Sequence, residues 1–180
     1  MGERRDVGIQ GVSLHPLVTH ADDRGAVTEI YRQSWLEGGR ESVQVNFSVS
    51  GPNVLRGLHF HLKQADYWCF LGGAAFVGLY DLRRSGPTEG KSAGIRIATE
   101  EGLQGLYIPK GVAHGFYAET GLQLLYLVDE YYTGEDEFGI AWDDPGLGIG
   151  WTATEPILSD RDKSNPSLAE VRTEPVPYAP

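Results

Sequence analysis

Residues 53–67 read NVLRGLHFHLKQADY and residues 108–116 read IPKGVAHGF, and these two stretches hold most of the polar chemistry of the chain. His59 and His61 lie two positions apart in the first stretch. Residues two apart on an extended strand share a face, so this spacing predicts that the two imidazoles point the same way. His114 lies in the second stretch, just after a Pro/Gly turn and just before another predicted strand.

Around these stretches, 24 glycines and 10 prolines divide the chain into short segments. The segments are rich in aromatic and β-branched residues and end at turn signals, a pattern typical of strands. They cover residues 26–32, 42–50, 67–71, 74–82, 94–98, 103–108, 115–118 and 122–128. Segment 42–50 alternates, with four apolar residues on one face: Val43, Val45, Phe47 and Val49. Many short strands predict an all-β sandwich or barrel. Short helices are expected only at 31–36 and 167–171. Arg83 is predicted to be a solvated turn residue.

The composition argues against several classes of protein. A net charge of −10 disfavours a nucleic-acid binder, because such proteins carry a basic face. Cys69 is the only cysteine, so neither an internal disulfide nor a cysteine-rich zinc site is expected. No segment resembles a signal peptide or approaches the ~20 apolar residues of a membrane helix. We therefore expect a cytoplasmic protein with no nucleic-acid or membrane partner.

No linker is evident, so residues 1–180 are predicted to form a single domain. The segment DDPGLGIG at 143–150 lies between Trp142 and Trp151 and is expected to be a packed loop. Residues 173–180, TEPVPYAP, are rich in proline and are expected to be loosely ordered. Open β-sandwiches protect their edges by closing or by pairing with another subunit, so a homodimer is expected.

The two polar stretches match, in outline, the two conserved boxes of the cupin superfamily. More blocks resemble, in order and at similar spacing, those of the dTDP-4-dehydrorhamnose 3,5-epimerase family. They are ADDRGAVTEIYR (21–32), VQVNFSVS (43–50), VLRGLHF (54–60), YDLRRSGPTEGK (80–91), YIPKGVAHGF (107–116), LLYLVDEYY (124–132), GIAWDDPGLGIGW (139–151) and ILSDRD (157–162). The likeness spans about residues 12–168, and it implies a cupin or jelly-roll β-barrel with short peripheral helices.

The resemblance also implies a reaction. Members of this family take a dTDP-4-keto-6-deoxy sugar and invert carbons next to its ketone, without a cofactor. A base on one face of the sugar and an acid on the other exchange the proton. The resemblance makes His59 the base, Tyr126 the acid, and Asp162 the carboxylate that orients the imidazole, with Asp160 as a neighbouring alternative.

Further positions match residues that bind the nucleotide sugar in this family. Some of them are expected to reach in from the partner subunit. The predicted substrate-binding residues are Arg24, Glu29, Gln44, Asn46, Arg56, His114 and Tyr131.

The departure from the family pattern that bears most on catalysis lies at Asp66. The family carries a lysine in Gln-Gly-Lys, where it holds the 4-keto oxygen, but this chain has Asp66 there. An anion would repel a developing enolate, and losing one such donor costs on the order of 2.7–4 kcal/mol. Lys63 could substitute only if the loop bends to bring it in.

A second interpretation rests on Asp66 together with His61, which stands where many family members carry glutamine. Imidazole and carboxylate ligands in this pattern suit Fe(II), Mn(II), Ni(II) or Zn(II). The alternative is thus a metal-dependent cupin enzyme with one divalent transition metal on His59, His61, Asp66 and His114. A third alternative is a family member that binds a nucleotide sugar without catalysis.

Overall fold

The computed structural model describes residues 4–36, 39–172 and 176–177, and short strands dominate it. The strands are β1 Arg5–Asp6, β2 Ser13–Pro16, β3 Thr19–Asp22, β4 Gly25–Thr28, β5 Gln44–Ser50, β6 Leu55–Phe60, β7 Asp66–Gly72, β8 Ala74–Asp81, β9 Arg83–Arg84, β10 Ser92–Ala98, β11 Gln104–Ile108, β12 Val112–Ala118, β13 Leu122–Val128, β14 Phe138–Gly139 and β15 Val176–Pro177. The helices are α1 Asp160–Lys163 and α2 Leu168–Val171, with 3-10 turns at Gln33–Trp35, Thr99–Glu101 and Pro145–Leu147. The predicted all-β class is confirmed.

Two sheets form the body of the fold. The six-stranded sheet has the order β1-β2-β11-β7-β13-β5, and the five-stranded sheet has the order β10-β8-β12-β6-β14. Phe70 and Leu124 from the first sheet join Val77 and Val112 from the second in one buried cluster. The main core therefore lies between the sheets, where apolar side chains from both inner faces leave water. Strands β3 and β4 form a separate exposed hairpin.

Strand β5 lies at the edge of the six-stranded sheet, with its apolar face outward. The exposed fractions of Val45, Phe47 and Val49 are 58%, 58% and 64%. The intervening Gln44 and Asn46 are partly buried on the inner face. This pattern is the reverse of an ordinary half-buried strand, in which polar residues face solvent. It leaves polar groups inside the fold and an apolar stripe outside it.

The helices follow the expected positions in part. The helix predicted at 167–171 is α2, and Ser167 and Glu170 form a reciprocal capping box at its start. The segment predicted at 31–36 contains only the 3-10 turn Gln33–Trp35. Helix α1 was not predicted, although the hydroxyl of Ser159 accepts a hydrogen bond from the backbone N–H of Asp162 at its start.

Three further expectations can be compared with the structure. The loop between Trp142 and Trp151 is packed as predicted, since the indole N–H of Trp151 donates to the carbonyl of Trp142 at 2.9 Å. The prediction for Arg83 is wrong: it is only 2% exposed, and its guanidinium donates to both carboxylate oxygens of Asp81 at 2.8 Å. In the tail predicted to be loosely ordered, Val176–Pro177 form β15, which pairs in parallel with β9. The other tail residues, 173–175 and 178–180, lie outside the described residues.

No helix among the described residues has the length and apolar character needed to cross a membrane.

Candidate active site

A cavity of about 450 Å³ opens between the two sheets. Strands β5, β7 and β13 of the six-stranded sheet form one wall, and β6 and β12 of the five-stranded sheet form the other. The volume lies within the range of small-molecule sites. Polar and aromatic side chains line it on both walls, so it suits a ligand with both polar and ring surfaces.

Strand register explains the wall formed by the six-stranded sheet. On β13, the inward side chains are Leu124, Tyr126 and Val128. Tyr126 lies opposite Asn46 of β5 and Trp68 of β7 in the antiparallel ladder. Side chains opposite one another share a face, so all three project into the cavity.

Two glycines bring β6 and β12 close together on the other wall. Gly57 has a φ of +118°, and a Cβ atom there would lie 2.7 Å from the Cα of Gly115. Such a contact excludes any side chain, so glycine is required at this approach. The register then pairs His59 with His114, with an irregularity between His114 and Phe116. His59 and His61 both line the cavity, as their spacing predicts.

His59 is held by a buried carboxylate. Its Nε2 lies 2.6 Å from Oδ1 of Asp162, which is 5% exposed. The hydroxyl of Ser159 donates to the other oxygen of Asp162 at 2.9 Å. Burial alone would raise the pKa of Asp162, but the hydrogen bonds from His59 and Ser159 outweigh it and lower the pKa below the ordinary value. An ionised carboxylate can only accept, so Nε2 of His59 carries the hydrogen and Nδ1 keeps the lone pair.

The alternative carboxylate, Asp160, does not contact His59. Its side chain is fully exposed and lies 3.3 Å from the ammonium of Lys163. The structure therefore selects Asp162 over Asp160 as the partner of the imidazole.

Tyr126 is partly buried and lines the same cavity as His59. Burial raises its pKa, and the nearby carboxylates of Asp66 and Glu137 raise it further. The phenol is therefore protonated at neutral pH and is able to donate a proton or a hydrogen bond.

A second cluster joins His61, Asp66 and His114. One ligand atom of each lies within 4.8 Å of the others, and all three residues are buried. Burial lowers the pKa of His114 to about 4, despite the opposing effect of Asp66, so this imidazole is neutral. His59 is not in the cluster, because Asp162 holds it elsewhere. The alternative set of four metal ligands is thus wrong for His59, and three of its members are brought together.

Asp136 fixes the loop that carries His61. Its carboxylate accepts hydrogen bonds from the backbone N–H groups of Leu62, Lys63 and Gln64 at 2.9, 2.9 and 3.1 Å. Its own backbone carbonyl lies 2.6 Å from Nδ1 of His61. One residue therefore positions both the loop backbone and the imidazole. Lys63 is exposed and does not line the cavity, so it does not replace the family's lysine there.

The predicted substrate-binding residues fall into two groups. Four of them line the cavity: Gln44, Asn46, Arg56 and His114. Three do not. Arg24 lies on the exposed β3–β4 hairpin and pairs with Asp22, Glu29 pairs with Arg32, and Tyr131 is 69% exposed beside a smaller recess. Among the described residues, these three are not part of the lining of the cavity in their own chain.

Several cavity residues were not predicted, notably Trp68, Tyr132, Glu137 and Arg161. Trp68 lies two positions from Asp66 on β7, so strand alternation predicts that both side chains lie on the same face of the strand. Arg161 and Glu137 form an ion pair of 2.6 Å between two distant segments, and no local pattern indicates such a pair.

The chain is similar to known sugar epimerases along nearly its whole length. Residues 6–170 match the sequence model of the family described as dTDP-4-dehydrorhamnose 3,5-epimerase. The chain is 39% identical over 149 residues to the spore coat polysaccharide biosynthesis protein SpsL of Bacillus subtilis (strain 168), covering 79% of this chain and 96% of that protein. It is 38% identical over 176 residues to dTDP-4-dehydrorhamnose 3,5-epimerase of Pseudomonas aeruginosa, covering 91% of this chain and 94% of that protein.

A solved structure extends this likeness to the fold. The crystal structure of dTDP-6-deoxy-D-glucose-3,5-epimerase RmlC from Legionella pneumophila Philadelphia 1, in complex with dTDP-4-keto-L-rhamnose, matches with a TM-score of 0.89. The two are 31% identical, and the match covers 99% of this chain and 98% of that chain. The predicted cupin-type β-barrel is confirmed.

Proposed function

This chain belongs to the dTDP-4-dehydrorhamnose 3,5-epimerase family, an isomerase family, and we propose that it exchanges a proton at a carbon next to the ketone of a dTDP-4-keto-6-deoxy sugar. The observation that carries the proposal is the 2.6 Å contact between His59 and Asp162 beside a cavity that Tyr126 also lines. A base, its orienting carboxylate and a phenolic acid are the groups that such an exchange needs.

The two walls of the cavity supply the base and the acid. His59 lies on β6 and Tyr126 on β13, which belong to different sheets. A sugar bound between them would meet an imidazole on one face and a phenol on the other. Nδ1 of His59 removes the proton, Asp162 stabilises the imidazolium that forms, and Tyr126 returns a proton from the opposite face. Solvent water then takes the proton from His59 and restores the phenol of Tyr126, so the exchange consumes no co-reactant.

Two arginines support binding of the diphosphate. Arg56 and Arg161 line the cavity, and Arg56 donates from Nε to the hydroxyl of Ser50 at 3.1 Å. Guanidinium groups suit phosphate oxygens because they donate two parallel hydrogen bonds. The Legionella pneumophila structure holds dTDP-4-keto-L-rhamnose, and structures of the 3'-monoepimerase ChmJ from Streptomyces bikiniensis hold dTDP or dTDP-quinovose. We infer a ligand of that class for this chain.

We also propose that the chain is a homodimer. The apolar stripe of Val45, Phe47 and Val49 lies on an edge strand, which in a free monomer would expose both unpaired backbone groups and apolar surface. Packing the outward face of β5 against a partner subunit would cover the stripe. Arg24 and Glu29 do not line their own cavity, so their predicted role requires that they reach the cavity of the partner. A cytoplasmic location stays a prediction, which cell fractionation would test.

Isotope exchange tests the reaction. The protein is incubated in D₂O with dTDP-4-keto-6-deoxyglucose, and NMR follows deuterium at C3 and C5 of the sugar. We expect incorporation that His59→Gln and Tyr126→Phe reduce by about 100-fold or more, as removal of a general acid or base does. The matched control is Tyr117→Phe, because the Tyr117 hydroxyl donates to Asn53 away from the cavity. Binding of dTDP without any exchange would refute the proposal and identify a non-catalytic family member.

Sedimentation velocity tests the dimer. We expect the wild-type chain to sediment as a dimer and Phe47→Glu to sediment as a monomer, because a buried charge would disfavour the apolar interface. Glu41→Lys, at an exposed position outside the stripe, serves as the control. A wild-type monomer at micromolar concentration would refute the dimer and leave the exchange reaction to be judged by its own assay.

A further inference from the structure

We propose that His61, Asp66 and His114 bind one divalent transition-metal ion inside the cavity. The inference rests on the proposed function, because the ion would act on the same bound ketone, and it adds a cofactor to that reaction. The ligands come from three segments: the loop after β6, the first residue of β7, and the middle of β12. They are 4%, 4% and 5% exposed, and their ligand atoms lie within 4.8 Å of one another.

The backbone orients both imidazoles for metal binding. Nδ1 of His61 lies 2.6 Å from the carbonyl oxygen of Asp136, and Nδ1 of His114 lies 2.9 Å from that of Val112. A carbonyl oxygen can only accept, so Nδ1 carries the hydrogen in both rings and Nε2 keeps the lone pair. Metal-binding histidines are usually held in this way, with one ring nitrogen donating to a carbonyl or carboxylate. In the described structure, neither Nε2 atom makes a hydrogen bond.

Asp66 is oriented by two neighbouring donors. The side-chain amide of Gln64 donates to Oδ1 at 2.7 Å, and the indole N–H of Trp68 donates to Oδ2 at 3.0 Å. An ionised carboxylate has about four lone-pair sites, so two remain for a ligand. Gln64 and Trp68 therefore hold the carboxylate in place without saturating it.

The charge balance of the cluster also favours a cation. Within residues 4–36, 39–172 and 176–177, no lysine or arginine forms an ion pair with Asp66, and its nearest basic contact is Nε2 of His114 at 3.7 Å. That distance is too long for a hydrogen bond. A buried carboxylate without a neutralising partner is costly. The cavity arginine Arg161 does not supply this partner, since it pairs with Glu137.

The donor set indicates the class of ion. Two imidazoles and one carboxylate with open positions suit Fe(II), Mn(II), Ni(II) or Zn(II). Metal–ligand bonds of about 2.1 Å place neighbouring donor atoms about 3–3.5 Å apart. The 3.7 Å between Nε2 of His114 and Oδ2 of Asp66 is close to that spacing. The other separations in the cluster are at most 4.8 Å, so a bound ion would have to draw these donor atoms closer together.

A metal at this point would compensate for the departure at Asp66. A divalent cation acts as a Lewis acid and polarises a carbonyl oxygen. It would supply the positive charge that the family's lysine provides and that Asp66 cannot. The chain would then retain His59 and Tyr126 for proton transfer, since neither belongs to the cluster.

Direct metal binding tests the inference. The full chain, without a histidine tag, is stripped with EDTA and titrated calorimetrically with MnCl₂, CoCl₂, NiCl₂ and ZnCl₂, and retained metal is counted by mass spectrometry. We expect about one ion per chain and a Co(II) absorption band that reports imidazole ligation. Asp66→Asn and His114→Gln should each weaken binding by about 100-fold or more, since even supporting residues cost 10- to 100-fold.

Three variants and a check of folding keep the result interpretable. Asp143→Asn, at an exposed position outside the cavity lining, should bind metal like the wild type. His59→Gln should also retain metal while losing exchange. Circular dichroism of each metal-free variant checks that the fold persists, and only proteins with a binding site should gain thermal stability on metal addition. Asp66→Lys, which restores the family's residue, should lose metal binding.

The outcomes separate this inference from the proposed function. If no titration saturates below millimolar metal, or if Asp66→Asn binds as tightly as the wild type, the inference is refuted and Asp66 is only the acceptor for Gln64 and Trp68. Loss of metal in His59→Gln would refute the three-residue ligand set. Stoichiometric metal without isotope exchange would uphold the site and refute the epimerase proposal. Full exchange in a protein that binds no metal would do the reverse.

Discussion

The pair of neighbouring carboxylates on α1 offers a sharp test of the catalytic arrangement. Asp162 accepts a hydrogen bond from His59 at 2.6 Å and is buried, whereas Asp160 is fully exposed and pairs with Lys163. A hydrogen bond to a charged group contributes about 1.5–3 kcal/mol. If that contribution acts in the transition state, Asp162→Ala lowers the rate of isotope exchange by about 10- to 150-fold, since about 1.4 kcal/mol is a factor of ten.

The same change should lower kcat and leave KM nearly unchanged. Asp162 does not line the cavity and acts through His59, so the substrate loses no direct contact. Asp160→Ala is the matched control, because it removes a carboxylate from the same helix at the cost of one surface pair worth less than about 1 kcal/mol. Deuterium incorporation at several substrate concentrations gives both constants, and urea unfolding confirms that both variants fold. An equal loss in Asp160→Ala, or wild-type kcat in Asp162→Ala, would refute this account of the imidazole.

Two further predictions concern stability and the loop at the cavity. Asp81→Asn removes the charge that accepts two hydrogen bonds from buried Arg83, and we expect a loss of about 3–5 kcal/mol in urea unfolding at pH 7. Although burial opposes it, Arg83 lowers the pKa of Asp81, so this stabilisation is present above the unfolded pKa of 3.8 and is lost as pH falls through the lower folded value. The wild-type advantage should therefore shrink below pH 3.8. Asp136→Ala should cost at least about 1.5–3 kcal/mol and speed amide hydrogen exchange at residues 62–64, which its carboxylate now holds. Unchanged exchange there would contradict the anchoring role.

Much of the fold could be read from local patterns. Strand β13 has the predicted bounds, Leu122–Val128, because apolar residues dominate it and turns flank it. The capping box of α2 is also a local signature, formed by residues three apart. The 3-10 turn Gln33–Trp35 shows the limit of such patterns, since the surrounding segment was predicted as a longer helix.

The candidate site was predicted chiefly through its resemblance to a family. Gln44, Asn46 and Arg56 were placed at the cavity by matching blocks, and the structure brings them there. Arg161 and Glu137 were missed because each belongs to a segment whose own pattern reads as a charged loop. Their 24-residue separation leaves no periodic signal for the pair that they form.

The sequence alone determined the all-β class, the positions of most strands and the residue types available for chemistry, because alternation, turns and caps depend on neighbours along the chain. Tertiary structure decided which face of β5 lies inward, which carboxylate holds His59, and which histidines join Asp66. Alternation defines two faces of a strand but does not say which one the fold buries. His59 and Asp162 are 103 residues apart, so their contact depends on the packing of distant segments.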